Sequence, residues 1–551
     1  MSDEESKMRI VKHIQFSIFN DDFSKKSIKQ TRKLNNQENN IEEEMFKRLE
    51  RYDLKMYIAD VKELGLEKTW ENICNYIINN GENKGLLNIK RFGELYEIGL
   101  AVQDKIHKRE SGQYYTPDDV ALLMSQWLDS CEGENVCDVA CGTGKLVLTY
   151  LDYIGYERAK KIISEGKLYL YDLDNIALKI CKTSLLIKYG LDLDDKIHDI
   201  YGDFLSYKIS LPFNCKTISN PPYAAIKQFN NEWDITDVLN DTHEMYSAFM
   251  EKIFQQSKST VIITPFSFIS GDKYYSLRKR MCEVGNGFIV SFDNVPGSIF
   301  YGKKHGIFNT NTVNSVRAAI TVQKSDQIKG YRVSPLIRFK NRERAQLLKP
   351  DILEKTLPES LQIIDNKNKA FEKIFKHLNG LFNDWKKKSE FVVKDLISSE
   401  TSKFLIDMPN TCRYNTTASS RKLSRTGSIT MNILDEDSFN FLYCFINSSF
   451  TYWWWRIYDG GITYPVGLLY KMPVPFNLLS EDDKEFFKKI CKEMCRAEKK
   501  YIVTKVNAGV KQENIKFPDS YRNKINKRLI KILNHDDDSS IFNVIHDNKF
   551  F

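Results

Sequence analysis

No apolar run in this sequence approaches the roughly 18 residues that a membrane span needs. The opening stretch, MSDEESKMRIVKHIQF, starts acidic and carries no leader pattern. From these absences we expect an intracellular chain. Metal-ligand spacing is missing as well. Eleven cysteines are present, yet neither Cys131, Cys137 and Cys141 nor the pair Cys491 and Cys495 makes a CxxC, and no histidine set accompanies them. Reduced structural thiols and no metal are the expectation. There is no GxGxxG, and no lysine-serine pair completes a Walker loop, which disfavours a nicotinamide cofactor or ATP. The chain also lacks internal repeats, low-complexity tracts and a convincing PD-(D/E)xK nuclease arrangement.

What is present fits a multidomain protein. At 551 residues, 42% apolar and 28% charged, the chain has room for two or three domains. The net charge of +8 is unevenly spread, because residues 331–430 hold 20 Lys and Arg against 11 Asp and Glu. Such local excess is the footprint of a phosphate-binding face, or simply a solvated surface. Residues 1–108 read as helical from apolar spacing in LKMYIADVKELGLEKTWENICNYIINN. From 109 to 328, short apolar runs such as NVCDV, KLYLYD, KTIS and STVIITP alternate with amphipathic helices, which predicts an α/β fold with a mainly parallel sheet. Residues 329–478 are aromatic and basic, and 479–551 read as a charged helical tail.

The α/β region carries three strand-end signals. DVACGTGKLVL is a strand, a glycine turn and a helix start, where backbone can approach a ligand and the helix N-terminus favours negative groups. On its own it fits a nucleotide site or merely a tight turn. YLYDLD ends a strand with Asp172, placed to accept from ribose hydroxyls, with Asp174 in reserve. YGDF ends the next with Asp203, a candidate acceptor for an adenine amino group, and Phe204 to cover the ring. In this order they describe a nucleoside cofactor lying across the C-terminal edge of the sheet.

A fourth strand, KTIS, runs into Asn220, Pro221, Pro222 and Tyr223. The amide oxygen of Asn220 and the carbonyl of Pro221, held by the fixed φ of two prolines, can accept both hydrogens of one NH2 group. The nitrogen lone pair is then drawn out of conjugation, and Tyr223 can stack on the ring that bears it. Positioning next to an electrophilic methyl group would supply much of the barrier reduction.

These motifs resemble the gamma-class adenine-N6 DNA methyltransferases. GQYYTP at 112–117, DVACGTG, YDLD, GDF and NPPY stand in that family's order, and MYSAFMEKIF and VIITPFSFISG are similar to the elements that follow. The resemblance covers residues 108–325 well and the C-terminal third loosely. It implies a Rossmann-like S-adenosylmethionine-dependent methyltransferase domain, a helical N-terminal region and an α+β target-recognition domain. It implies S-adenosyl-L-methionine as cofactor, with Thr116 beside the methionine carboxylate and Tyr115 in the same site. Asp138, Ala140, Cys141, Gly142 and Gly144 would line the methionine and ribose, Asp172 would take the ribose, and Asp203 with Phe204 the adenine. Asn220, Pro221, Pro222 and Tyr223 would hold a flipped adenine, and Phe300 of SIFYGKK, or Tyr301, would face it from the other side.

Two departures from the family stand out: the polar stretch HGIFNTNTVNS and the long spacer 145–166. Arg413, Arg421, Lys422 and Arg425 could reach phosphates or guanine edges, or form a mobile basic loop. Trp453, Trp454 and Trp455 are expected in the core. The implied partner is double-stranded DNA, in a restriction-modification or related defence system of a prokaryote or phage. The expected place is the cytoplasm, at the nucleoid, with a separate restriction endonuclease as a candidate companion and no membrane. Competing readings are a cytosine-N4 enzyme, a protein glutamine methyltransferase, a fused nuclease and a non-enzymatic DNA-binding subunit.

Overall fold

A computed structural model describes residues 54–80, 92–103, 116–300, 316–412, 414–507, 509–536 and 538–547. Compactness divides these into two units, one up to Asp234 and one from Ile235 onward. The division falls inside the segment 109–328 that the sequence pattern marks as one domain.

In the first unit, strands β1 (Asn135–Val139), β2 (Leu168–Asp172), β3 (Ile197–Tyr201) and β4 (Cys215–Ser219) are all parallel and lie in the order β3-β2-β1-β4. Strand β4 is buried along its whole length and β1 on all but its first residue, whereas the edge strand β3 exposes His198 and Asp199. A central strand covered on both faces reads as an apolar run, and an edge tolerates charge. Because β2 and β3 lie on one side of β1 and β4 on the other, strand order reverses between β1 and β4. In doubly wound sheets the ligand crevice opens at such a switch point, at the carboxyl ends of the strands.

Helices α1 (Leu54–Leu64), α2 (Leu66–Asn80) and α3 (Phe92–Gln103) form the helical N-terminal region. Their apolar stripes, with Tyr57, Trp70 and Tyr96, close one core with Ile176 and Ile180 of α7 (Asn175–Tyr189). Between β1 and β2 the expected single spacer is two helices, α5 (Lys145–Ile154) and α6 (Tyr156–Ser164), broken at Gly155, whose φ of 87° ends the first. Helix α4 (Asp118–Asp129) precedes β1.

The second unit has strands β5 (Ser259–Pro265), β6 (Gly285–Phe292), β7 (Ala318–Ser325) and β8 (Gly330–Ile337) in the order β5-β7-β6-β8, with β7 antiparallel to its neighbours and β6 parallel to β8. Strand β8 belongs to this sheet although it lies beyond the expected boundary at 328. The rest is α+β. Helices α8 (Glu436–Ile446), α9 (Ser449–Tyr458), α10 (Glu481–Tyr501) and α11 (Asp519–Ile532) enclose an aromatic core in which Trp453, Trp454 and Trp455 are buried, as their sequence context led us to expect. A strand pair β9 (Leu405–Pro409) and β10 (Ser428–Asn432) flanks it.

The expected helical tail is interrupted by a ribbon of β11 (Ile502–Asn507) and β12 (Val510–Ile515). The β-branched residues of IVTKV favour extended chain, and Gly509 takes a left-handed φ of 79° just before β12. Among the described residues no disulfide joins the eleven cysteines, no cluster of His, Cys, Asp or Glu could hold a metal, and no helix is long and apolar enough to cross a membrane.

Candidate active site

The glycine turn after β1 is built from left-handed backbone. Ala140, Gly142 and Gly144 have φ of 59°, 52° and 89°. A side chain at Gly144 would meet the sulfur of Cys181 at 2.5 Å, so that position excludes a Cβ for space as well as for strain. Above the turn, Asp138 is fully buried. Its Oδ2 accepts from the Val147 N–H at 3.0 Å, and its Oδ1 has no hydrogen-bond partner among the described residues. Burial pushes this carboxyl well above the usual range.

Asp172, at the end of β2, ties the turn down. One of its oxygens accepts from the Gly142 N–H at 2.7 Å and the other from the Asp174 N–H at 2.8 Å. Each oxygen keeps a lone pair, which suits a pair of vicinal hydroxyls. Asp174, the reserve candidate, is engaged otherwise. It caps α7 through the Ile176 and Ala177 N–H groups, and its second oxygen accepts from the Tyr96 hydroxyl. Between them Leu173 is 66% exposed, an apolar side chain standing at the sheet edge where a base would need a dry face. Nothing in the sequence singles it out, because an isolated Leu carries no motif.

After β3, the Asp203 carboxylate accepts from the Leu205 N–H at 3.0 Å and from the Trp233 indole at 2.7 Å. Phe204 is buried and packs edge-on against Tyr171. Sequence reasoning also passes over Trp233, since its partner lies thirty residues earlier in the chain. The bond belongs to a wider stitch: Tyr207 N–H donates to the Glu232 carbonyl at 2.9 Å, and Ser206 bridges to Trp233. The loop carrying Asp203 and the segment following Tyr223 are therefore held together.

Asn-Pro-Pro-Tyr leaves β4 where its register aligns Ser219 with Val139, and the Ser219 hydroxyl donates to the Val139 carbonyl at 2.7 Å. This pins the two strand ends that flank the switch point. The Asn220 Nδ2 donates to the Thr116 Oγ1 at 3.0 Å. An amide is planar, so this bond turns Oδ1 of Asn220 away from Thr116 and sets the orientation of the acceptor. Pro221 is buried, while Pro222 and Tyr223 are half-buried.

The structure thus brings Thr116, the 138–144 turn, Asp172, Asp203, Phe204 and Asn220–Tyr223 to one strand edge. Tyr115 and Tyr301 lie outside the described residues, as does Arg413. Phe300 belongs to the second unit and is almost wholly buried. Arg425 points inward: its guanidinium pairs with the buried Asp407 and also donates to the Ser428 hydroxyl. Arg421 lies 3.7 Å from Glu498, and Lys422 is exposed.

Parallel strands wound around a switch point, with a left-handed glycine turn tied to a strand-end aspartate, define a Rossmann-like fold, and a rigid Asn-Pro-Pro-Tyr stands beside that turn. Residues 88–313 match the model of the N-6 DNA Methylase family. That match supports S-adenosyl-L-methionine as methyl donor, and the Asp172 carboxylate, the left-handed turn and the exposed Leu173 fit that molecule.

Among curated proteins, the chain is 29% identical over 150 residues to the type I restriction enzyme MjaIX methylase subunit of Methanocaldococcus jannaschii, covering 27% of this chain and 25% of that one. It is 21% identical over 241 residues to the MpnII methylase subunit of Mycoplasma pneumoniae, covering 39% and 42%. The chain spans less than half the length of these relatives. Among solved structures it is similar to the type ISP restriction-modification enzyme LlaBIII bound to DNA, with 12% identity, a TM-score of 0.41, and 85% of this chain and 46% of that one covered.

Proposed function

We propose that this protein is a site-specific DNA adenine-N6 methyltransferase of a restriction-modification or related defence system. The observation that carries the reading is the oriented Asn220 amide, fixed by Thr116 at the end of β4 and next to the turn that Asp172 holds. S-adenosylmethionine supplies the electrophilic methyl group when bound. The chain's own part is positional. Asn220 Oδ1 and the Pro221 carbonyl accept the two amino hydrogens of the target, keeping its lone pair available, and the paired prolines hold both acceptors still. Tyr223 supports the base from one face.

The base must leave the duplex to be reached, at a cost of a few kcal/mol that stacking helps offset. Double-stranded DNA is the substrate in this reading, and a separate endonuclease is a companion of the kind that the type I names of the relatives suggest. Cytosine-N4 transfer uses the same acceptors, and Asn at position 220 favours adenine over it.

The test is methyl transfer from labelled donor to duplex DNA, followed by mass spectrometry of the nucleosides. N6-methyladenine is expected. N4-methylcytosine would move the reading to the sister reaction, and label in protein alone would overturn it. Asn220→Ala should lower kcat by about a hundred-fold or more, the scale of losing one oriented polar group in an active site, while cofactor Kd stays within a few-fold.

A further inference from the structure

The basic segment 331–430 spends much of its charge inside the protein. Arg338 and Arg344 are buried, Lys373 is buried on the Ser270 hydroxyl, and Lys386 and Lys388 are paired with Glu372 and Asp384. Residues 499–531 behave in the opposite way. They hold ten Lys and Arg against two acids, an excess equal to the net charge of the whole chain.

Most of that charge is outside. Lys505 and Lys511 stand on the ribbon, Lys516 at its root, and Lys524, Lys527 and Lys531 along one face of α11 at helical spacing; all six are exposed. Lys511 has Glu513 at 3.8 Å, and among the described residues no acid pairs with the other five.

The ribbon itself is anchored below and bare above. At its root the Lys516 N–H donates to the Tyr501 carbonyl, and the rings of Tyr501, Phe517 and Tyr521 pack edge to face into the start of α11. Along its lower half, the loop 424–426 is stapled to β12: the Glu513 N–H donates to the Ser424 carbonyl at 2.8 Å, and Gln512 accepts from the Thr426 N–H. Beyond that point both faces are open. Val506, 73% exposed, and the exposed Val510 stand there, and Val503 nearer the root is exposed as well. By register Lys505 shares a face with Val503 and Val510, and Lys511 shares the other with Thr504 and Val506. A bare two-stranded hairpin has little stability of its own in water, so the lower staple holds it in an extended shape that nothing in its own core demands.

We infer that the β11–β12 ribbon and the adjoining face of α11 form a duplex DNA-binding element, with the ribbon entering the major groove and the lysines of α11 on the flanking phosphates. The major groove admits a two-stranded ribbon, lysine donates to guanine edges there, and exposed valines offer apolar contact to thymine methyls. The charge sign, the lack of an acid within pairing distance of five of the lysines among the described residues and the bare valines near the tip all suit that occupant. This inference rests on the reading of the chain as a DNA methyltransferase, and it moves the expected DNA contact from the 413–425 loop to the following hairpin.

The test uses the full chain and sheared genomic duplex DNA, with affinity measured across a salt series. K505Q/K511Q/K516Q should weaken binding about ten- to a hundred-fold at moderate salt and flatten the slope of log affinity against log salt by roughly two to three, near one for each lysine withdrawn from the DNA. K505R/K511R/K516R should restore both, and the matched surface variant K349Q/K367Q/K387Q should change neither. Competition by methyl green, a major-groove ligand, is expected, with little competition by a minor-groove ligand. An unchanged slope in the ribbon variant would overturn the inference. So would equal losses in ribbon and matched variants, which would mean diffuse charge alone, or loss of binding to another protein chain with DNA affinity intact. Wild-type protein that methylates adenine while the ribbon variant binds normally would sink the ribbon alone. Binding through the ribbon without any methyl transfer would sink the enzymatic reading instead.

Discussion

Asp172 carries two duties that conflict in one property. Its oxygens hold the glycine turn through the Gly142 and Asp174 N–H groups, and burial lifts its carboxyl to about 6 despite those bonds. Because the folded pKa is raised, the native state takes up this proton more readily than the unfolded chain. The fold therefore loses a little stability as pH rises from about 4 to about 6, while a function that needs the carboxylate gains. Cofactor affinity should fall as pH drops through about 6, and calorimetric titration across pH 5 to 8, pH values chosen around that shift, should show it. Asp172→Asn should bind weakly with no such pH dependence. A profile in Asp172→Asn matching that of the wild type would assign the titration elsewhere. At this scale the placement of Asp172, Asp203 and Asn220 was legible, since each sits at a strand end or within two residues of one. Trp233 and Leu173 were not legible, because the first acts through a partner distant in sequence and the second by exposure alone.

At the level of elements, the N-terminal helices pack beside the glycine turn. Tyr96 of α3 donates to Asp174, and a Cβ at Gly93 of the same helix would lie 2.7 Å from the Thr143 hydroxyl in the glycine turn. The helix backbone therefore braces the turn from behind. Gly93→Val should overpack this junction at a cost of about 1–3 kcal/mol and raise cofactor Kd roughly ten-fold, measured by thermal melting with and without cofactor. A destabilised variant with unchanged Kd would show that α3 supports the fold without touching the site. The amphipathic spacing predicted these helices, but nothing in it said which element they would cover.

Across the second unit, one buried carboxylate gathers three strand ends and a helix. Asp293, following β6, accepts from Arg317 before β7, Arg338 after β8 and Arg456 of α9, and these guanidiniums outweigh its burial to hold it at about 2. The sign is the ordinary one for a paired acid: the stabilisation is present above the unfolded pKa near 4 and is lost as pH falls through about 2. Asp293→Asn leaves three guanidiniums without their counter-charge and should cost about 3–5 kcal/mol in chemical denaturation. A loss below about 1 kcal/mol, the scale of a surface pair, would mean the arginines find other acceptors.

By itself the sequence determined the order of strands and turns, the glycine and proline positions, and the acids and amide at strand ends. Those are local choices, set by φ preference, apolar periodicity and motif spacing, and they carried the Rossmann-like class and the methyl-donor chemistry. Only the tertiary structure decided which charges face water. Arg425 and much of the 331–430 excess turn inward onto acids such as Asp407, whereas the lysines of the ribbon and α11 stay outside. It also placed β8 in the sheet of the second unit and set the Asn220 amide by Thr116. These outcomes depend on partners distant along the chain, and the electrostatic cost of burial that selects them has no one-dimensional signature.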